Sequence, residues 1–162
     1  MSQTTTDTVV QMYRVYIKAT PEAIWEAITS PEWTERYGYP GRNEYDLRPG
    51  GAFRAVMPAE MQAMGVPEVG VDGEVIECDP PRLLVQTWRF LFEPAQEAEG
   101  FQRVTWEIHP EHGDFTRLTV THDVTDAPLA AAMLAGSEPL EQGGGGWNWI
   151  LSTLKTELEL NG

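Results

Sequence analysis

The sequence predicts an α+β fold in which a long C-terminal helix packs on one face of an antiparallel sheet of six or seven strands. Three observations favour this class. Short alternating segments separated by turns fill the middle of the chain, two short helical segments follow the first strand, and one long amphipathic segment comes last. Strands joined in sequence by hairpins, with the helices kept to one side, are typical of α+β proteins.

The first predicted elements are a strand and two short helices. Residues 12–19 (MYRVYIKA) alternate and are rich in β-branched and aromatic side chains, which indicates a strand. Thr20 and Pro21 then supply a helix N-cap and a first helical residue. Ser30 and Pro31 repeat this signal, so a second short helix is expected directly after the first.

The middle of the chain predicts five or six further strands. Side chains alternate between the two faces of a strand, so each segment can be divided into an inward and an outward set. The outward sets are polar. The inward sets are mostly apolar and consist of Phe53, Ala55 and Met57; Val71, Gly73 and Val75; Gln86, Trp88 and Phe90; Val104, Trp106 and Ile108; and Leu118, Val120 and His122.

The last predicted elements are helical. Residues 129–142 favour a short Ala/Leu helix, and the glycines of residues 143–146 separate it from a long helix that begins near Trp147. The long helix has apolar residues at the i, i+3, i+4, i+7 spacing of a helix that lies on a sheet. This stripe consists of Trp147, Ile150, Leu151, Leu154 and Leu158.

Length and N-terminal composition predict one domain in the cytoplasm. With 162 residues, the chain is expected to form one domain over residues 1–162, with residues 1–10 as a flexible N-terminal segment. Neither a membrane span nor a signal peptide is recognisable in the sequence. The single cysteine, Cys78, excludes an internal disulfide and a thiolate metal cluster.

The charge of the chain narrows the classes of partner. The sequence has 11 Lys and Arg residues against 25 Asp and Glu residues, for a formal net charge of −14. Proteins bind nucleic acid largely by neutralising phosphates with Lys and Arg. The sequence therefore argues against nucleic acid and anionic membranes as partners, and the acidity is attributed to solubility.

Five segments of the chain resemble the SRPBCC (START/Bet v 1-like) superfamily. The similar branch is the one named after the activator of heat-shock-protein-90 ATPase homologue, and the order and spacing of the segments are similar over residues 12–160. The segments are ATPEAIWEAITSPE (19–32), RPGGAFR (48–54), GEVIECDPPRLLVQTW (73–88), TRLTVTH (116–122) and GGW (145–147).

The resemblance implies a helix-grip fold, in which a curved antiparallel sheet wraps around the long C-terminal helix and encloses a hydrophobic cavity. Relatives bind lipids, sterols, polyketides or plant hormones, some are cyclases or other enzymes, and a few act on the chaperone's ATPase. This chain departs from the common pattern at residues 143–146, which form a longer glycine run, and at residues 58–70, which form a longer loop. Met57, Met61 and Met64 cluster there, and flexible methionines suit a lid over the cavity.

The cavity expected from this resemblance has a mouth formed by Trp25, Trp33, Tyr37 and Tyr39 on the two short helices. Its wall is expected to consist of Phe53, Met57, Val71, Val75, Gln86, Trp88, Phe90, Val104, Trp106, Ile108, Val120, His122, Trp147 and Leu151. Gln86 and His122 are the polar exceptions. A few placed polar groups in an apolar pocket orient a ligand.

The function expected from this site is binding of a small hydrophobic or aromatic molecule, without a metal or cofactor. An alternative is an enzyme of the cyclase or acid–base type that uses the same cavity, with His122 or Glu77 as the acid–base group. For His122, however, a core histidine bonded to its neighbours is the preferred interpretation. By alternation Glu77 shares the inward register at the end of its strand, where it is expected to be solvated or paired with an Arg such as Arg82. A third option is a module that regulates a chaperone ATPase. Trp149 lies off the helix stripe, where it either packs on a loop or forms a homodimer contact.

Overall fold

The computed structural model describes residues 8–39, 41–136 and 145–161. Seven strands form one curved antiparallel sheet in the order β1-β7-β6-β5-β4-β3-β2. The strands are β1 (Val10–Ile17), β2 (Arg42–Tyr45), β3 (Ala52–Val56), β4 (Val69–Asp79), β5 (Leu83–Phe90), β6 (Gln102–Pro110) and β7 (Thr116–Asp123).

Six helices accompany the sheet in the described part of the chain. They are α1 (Pro21–Thr29), α2 (Pro31–Thr34), α3 (Ala59–Ala63), α4 (Pro94–Ala98), α5 (Pro128–Leu134) and α6 (Gly146–Asn161). The 16-residue helix α6 contacts β1, α1 and α5. The predicted α+β class, the helix-grip arrangement and the two short helices after the first strand are confirmed.

The short helices begin at the residues that the sequence marked. The hydroxyl of Thr20 accepts a hydrogen bond from the backbone N–H of Ala23 at 3.1 Å, and Pro21 is the first residue of α1. Pro31 opens α2 in the same way, although the Ser30 hydroxyl donates to Glu32 instead of capping the helix. Proline is tolerated at these positions because the first N–H groups of a helix have no partner within it.

Two short helices, α3 and α4, were not predicted. Helix α3 lies in the long β3–β4 connection that was expected to form a loop. Helix α4 connects β5 to β6, and it follows a start signal that the sequence contains. Pro94 is its first residue, and the backbone N–H of Glu93 donates to Oε1 of Gln96 at 3.2 Å. This exchange between the N-cap and the third helical residue is part of a capping box.

The predicted Ala/Leu helix over residues 129–142 is shorter in the structure. Helix α5 ends at Leu134, and Gly136 has a φ of +79°. A glycine in this left-handed conformation ends a helix because it turns the chain out of the helical path without a steric penalty. Residues 137–144, which include the rest of that prediction and the first two glycines of the run, lie outside the described residues.

The N-terminal end of the described chain is tied to the sheet. The backbone N–H of Val9 donates to the Thr125 hydroxyl at 2.8 Å, and the N–H of Val124 donates to the Val9 carbonyl at 2.8 Å. Val10, at the end of the segment expected to be flexible, is the first residue of β1. Residues 1–7 lie outside the described residues. No helix in the described ranges is long and apolar enough to cross a membrane.

The inward sets of the strands form the core, as alternation predicted. Thirteen of the fifteen inward residues are buried, while Met57 and Gly73 are partly buried. The stripe of α6 is buried at Trp147, Leu151, Leu154 and Leu158. Sheet and helix therefore meet through the surfaces that the sequence assigned to them.

The inward register predicted for Glu77 is wrong. The pairing of β4 with β5 shifts between Val75 and Glu77, and Glu77 is exposed. Such a bulge changes which side of the sheet the following residues face. Of the two environments expected for Glu77, the solvated one is found, since Arg82 instead bonds the carboxylate of Asp79 at 2.6 Å.

Candidate functional site

The structure contains a cavity of about 640 Å³ between the sheet and the N-terminal end of α6. The segment after α2, the helices α3 and α5, and the ends of β3 and β5 complete its walls. Pockets that bind small molecules have volumes of about 300–1,000 Å³ and mostly apolar walls. The cavity therefore has the size of a ligand site.

Eight of the eighteen predicted cavity residues lie on the wall. They are Tyr37, Tyr39, Met57, Val71, Trp88, Phe90, Trp106 and Trp147. They come from six different elements and connections, and the sheet and α6 bring them together. Ten predicted residues do not reach the wall: Trp25, Trp33, Phe53, Val75, Gln86, Val104, Ile108, Val120, His122 and Leu151.

The ten residues miss the cavity because much of the space between sheet and helix is filled with packed side chains. The rings of Phe53 and Tyr45 stack with centroids 4.6 Å apart, and Phe53 also stacks on Trp88 at 5.5 Å. Aromatic pairs at these distances leave no space between them. The cavity is confined to the end of the sheet beside α2, α3 and α5.

The predicted mouth residues divide between the wall and the outer surface. Trp25 and Trp33 are partly buried away from the cavity, and the guanidinium of Arg36 lies 4.6 Å from the Trp33 ring. Tyr37 and Tyr39, which follow α2, do line the cavity. Helix α2 ends after one turn, at Thr34. The two tyrosines therefore lie on the loop that follows the helix and not on the helix itself.

Twelve wall residues were not among the predicted site residues: Thr34, Gly38, Gly41, Asn43, Ala55, Met61, Met64, Phe92, Met133, Leu134, Gly146 and Ile150. Four of them carried a recognisable signal. Ala55 belongs to an inward set, Ile150 to the helix stripe, and Met61 and Met64 to the methionine cluster. Residues such as Asn43 and Met133 lie in segments whose approach to the cavity depends on the tertiary fold.

Methionines form the outer rim of the cavity. Met61 and Met64 come from α3 and the residue that ends it, and Met57 and Met133 complete the group. Met64 is 81% exposed, so it stands at the solvent side. Unbranched, polarisable methionines adapt to ligands of different shape. The clustered methionines thus line the cavity, and their action as a lid stays a prediction.

The loop after α2 is bonded to α6. The backbone N–H of Gly38 donates to the Thr153 hydroxyl at 2.8 Å, and the indole N–H of Trp149 donates to the Gly38 carbonyl at 3.1 Å. Trp149 thus packs on a loop, which was one of the two interpretations of its position. The hydroxyl of Tyr39 accepts a hydrogen bond from the N–H of Gly145.

His122 lies behind the wall and is fully buried. Its Nδ1 accepts a hydrogen bond from the indole N–H of Trp147 at 3.1 Å, and its Nε2 lies 3.2 Å from Oε1 of Gln102. An indole N–H only donates, so Nδ1 is unprotonated and Nε2 donates its hydrogen to Gln102. Burial lowers the pKa of His122 to about 4. This histidine is neutral and has both ring nitrogens occupied, which is the core-histidine interpretation.

Gln86 is a second buried polar group behind the wall. Its Oε1 accepts hydrogen bonds from the Tyr45 hydroxyl at 2.8 Å and from the indole N–H of Trp106 at 2.9 Å. These two donors determine the orientation of the amide, because a flipped amide would place its NH₂ against the Trp106 N–H. Burial raises the pKa of Tyr45, so its hydroxyl stays protonated and donates.

The wall itself carries no charged side chain among the described residues that line it. Its polar groups are mostly bonded within the protein. The Tyr37 hydroxyl donates to the Ala27 carbonyl at 2.8 Å, and the Thr34 hydroxyl accepts from the N–H of Asn43 at 2.9 Å. In the described chain, no group of three or more His, Cys, Asp or Glu residues is arranged to hold a metal ion.

A protein-family model, described as Activator of Hsp90 ATPase homolog 1-like protein, matches residues 18–159. This match covers the segments that carried the resemblance in the sequence. No curated protein matches the chain at a significant level. The family model matches the branch that the sequence indicated.

Solved structures share the fold at low sequence identity. MLL2253 from Mesorhizobium loti has a TM-score of 0.68 at 22% identity, with 95% of this chain and 99% of that chain covered. CalU16 from Micromonospora echinospora has a TM-score of 0.62 at 23% identity, with 94% and 78% covered. PFC0360w from Plasmodium falciparum, described as an HSP90 activator, has a TM-score of 0.62 at 23% identity, with 92% and 95% covered. Identities this low establish likeness of fold alone.

Proposed function

This chain belongs to the Activator of Hsp90 ATPase homolog 1-like family, and on that basis we propose that it binds a small, uncharged hydrophobic or aromatic molecule in the cavity beside α6. The observation that supports this most is the cavity itself. It has a volume of about 640 Å³ and is lined by residues such as Trp88, Phe90, Trp106 and Trp147.

The driving force for binding is burial of apolar surface. Each Å² of apolar area removed from water contributes about 25 cal/mol before the costs of association are subtracted. A ligand of two or three fused rings buries enough area against the indole rings for a Kd on the order of micromolar. The wall has no charged side chain among its described residues, so a charged ligand would lose its hydration without gaining an ion pair.

The methionine rim provides a route into the cavity. Met61 and Met64 lie on or next to the short helix α3, which has no fully buried residue. Elements with few buried contacts open at low free-energy cost. We expect a ligand to enter when α3 moves away from Met133, without rearrangement of the sheet.

Native mass spectrometry of the protein purified from its own host tests the proposal directly. A co-purifying small molecule that is removed by organic solvent supports it. A parallel titration uses the uncharged dye N-phenyl-1-naphthylamine, whose fluorescence rises in an apolar site. Saturable binding at about one dye per chain supports the proposal. The absence of both a bound molecule and saturable dye binding contradicts it.

Acid–base catalysis in the same cavity has less support. His122 lies off the wall with both ring nitrogens bonded, and Glu77 is exposed. A general acid or base must come within hydrogen-bonding distance of the reacting group. Neither residue meets this requirement in the described structure.

Regulation of a chaperone ATPase is a second candidate, and the family description and the Plasmodium neighbour favour it. The fold alone does not transfer this activity, because one fold supports many functions. Its test is a pull-down of Hsp90 from the host followed by an ATPase assay. Hsp90 binding with a changed ATPase rate supports the candidate, and an unchanged rate at saturating protein contradicts it.

A further inference from the structure

The cavity wall carries one buried donor that the fold leaves without a partner, the indole N–H of Trp88. Trp88 is 7% exposed, and its Nε1 has no hydrogen-bond partner among the described residues. The rings of Phe53, Phe90, His122 and Trp147 surround it at centroid distances of 5.4–5.9 Å. None of these rings offers an acceptor, because both nitrogens of His122 are already bonded. Trp88 is also one of the residues that line the cavity.

The other two indole N–H groups on the wall each have a hydrogen-bond partner. The N–H of Trp106 donates to Gln86 at 2.9 Å, and the N–H of Trp147 donates to His122 at 3.1 Å. The fold thus places an acceptor behind each of these rings and none behind Trp88. Buried N–H groups without a partner are rare in folded proteins, because each has lost its hydrogen bonds to water.

A second buried donor in the same region also lacks a partner. Gln86 lies two residues before Trp88 on the same inward face of β5, and its Nε2 is unbonded in the described structure. Its Oε1 is already shared by Tyr45 and Trp106, so the amide cannot flip to pair its nitrogen. Both unpartnered groups are donors, but Gln86 lies behind the wall, so Trp88 is the one of the two that lines the cavity.

We propose that the ligand carries an uncharged acceptor oxygen, as in an aromatic ketone, and that Trp88 selects it by donating its indole N–H to that oxygen. This inference rests on the proposed function, whose apolar driving force supplies most of the affinity. The hydrogen bond adds specificity. A site with a buried donor binds an analogue that lacks the acceptor more weakly, because the donor is then left unpaired.

The test compares ligands that differ at one position. The compounds are 1-tetralone, which has a carbonyl oxygen, and tetralin, which has a methylene group at the same ring carbon. Their Kd values are measured by NMR titration of the ¹⁵N-labelled protein, in which the six tryptophans give separate indole N–H signals. Loss of one signal in Trp88→Phe assigns the resonance of Trp88.

We expect 1-tetralone to bind roughly ten-fold more tightly than tetralin and to shift the Trp88 indole N–H signal downfield. In Trp88→Phe, which retains an apolar ring, the two compounds should bind equally. The matched control is Trp33→Phe, because Trp33 lies off the wall and its replacement should leave the preference unchanged. The corresponding 1-carboxylate of tetralin should bind roughly ten-fold more weakly than 1-tetralone, since the wall offers it no cation.

The possible failures are distinguishable. Equal binding of 1-tetralone and tetralin to the wild-type protein, with no downfield shift of the Trp88 signal, overturns the inference and leaves the proposed function standing. A bound water that serves the N–H would give this result. Tighter binding of the carboxylate overturns the uncharged class. Binding of neither 1-tetralone nor tetralin up to their solubility limits contradicts both proposals. If Trp88→Phe does not fold, the Trp88 indole signal is assigned by triple-resonance and NOE spectra of the wild-type protein, and its shift on adding 1-tetralone decides.

Discussion

The indole N–H of Trp147 donates to Nδ1 of His122 at 3.1 Å, which joins the first turn of α6 to β7, the strand beside the edge strand β1. Both side chains are fully buried. The contact requires a neutral imidazole, because a protonated Nδ1 would place two donors against each other. The junction of helix and sheet beside the cavity therefore depends on the protonation state of one residue.

Acid is expected to destabilise the fold through His122. Burial lowers the pKa of His122 from 6.5 to about 4 in the folded protein. Between these values the unfolded chain binds a proton that the folded protein does not, so stability is present above pH 6.5 and falls as the pH drops toward 4. The contribution is ~3 kcal/mol. Urea denaturation at pH 7.5 and 4.5 measures it.

The comparison variant for this prediction is His122→Gln, which has no titrating side chain. Carboxylates also titrate in this range, so the quantity of interest is the wild-type change minus the change in the variant. We expect the wild type to lose more stability on acidification. Equal losses would show that His122 is already protonated or solvated in the fold.

Replacing Ala55 with phenylalanine is expected to block the cavity. Ala55 lies on the wall and is 6% exposed, so a larger side chain extends into the cavity. We expect Ala55→Phe to weaken dye binding at least roughly ten-fold while the protein stays folded, because the cavity provides room for the ring. The measurement is a titration with N-phenyl-1-naphthylamine, together with a thermal melt.

The matched control for the blocked cavity is Ala52→Phe. Ala52 lies on the same strand but is exposed on the opposite face. The Ala52→Phe substitution adds the same side chain outside the cavity, so the affinity for the dye should stay at the wild-type value. Equal affinities of Ala55→Phe and the wild type would place the dye elsewhere.

Loss of the Gln86 amide is expected to destabilise the core. Gln86→Leu leaves two donors unpaired, the Tyr45 hydroxyl and the Trp106 indole N–H. Removing a shared acceptor in this way costs about 2–3 kcal/mol of unfolding free energy. Tyr45→Phe removes one of the two bonds and leaves no donor unpaired, so about 1 kcal/mol is expected. Denaturant unfolding of both variants measures the difference. A cost for Gln86→Leu no larger than for Tyr45→Phe would mean that water reaches these groups.

Gly73 is expected to tolerate no side chain. A Cβ at this position would lie 1.9 Å from the backbone carbonyl oxygen of Thr87 on the paired strand β5. The strands would have to separate, so we expect Gly73→Ala to cost about 3 kcal/mol or more. Gly113→Ala is the control, because its Cβ meets no atom within 4 Å and only its φ of +66° is strained. About 1 kcal/mol is expected there. Similar midpoints of thermal unfolding for the two variants would contradict this difference.

Much of the architecture could be predicted because it depends on local patterns. Alternation in the strands identified the inward residues, and the Thr20-Pro21 and Ser30-Pro31 pairs marked two helix starts that the structure retains. The order of the segments indicated the family that the family model matches. These features depend on residues close together in the chain, so a sequence pattern contains the information that they require.

The predicted inward face of Glu77 failed because of a bulge in β4. Alternation assumes that every residue pairs in register with the neighbouring strand, and one irregular pair reverses the faces of the residues that follow. Helix α3 was missed for a related reason. Its five residues are too few to show a helical period. The methionines around it suggested a lid, but they did not indicate that part of this lid is helical.

The sequence by itself determined the fold class, the inward faces of most strands and the stripe of the last helix. Only the tertiary structure decided which of the inward aromatic rings face a cavity and which are packed against one another. That outcome depends on contacts between distant residues, such as His122 with Trp147 and Gln86 with Tyr45. The physical reason is that alternation determines the direction of a side chain, whereas the space in front of it depends on how closely sheet and helix approach.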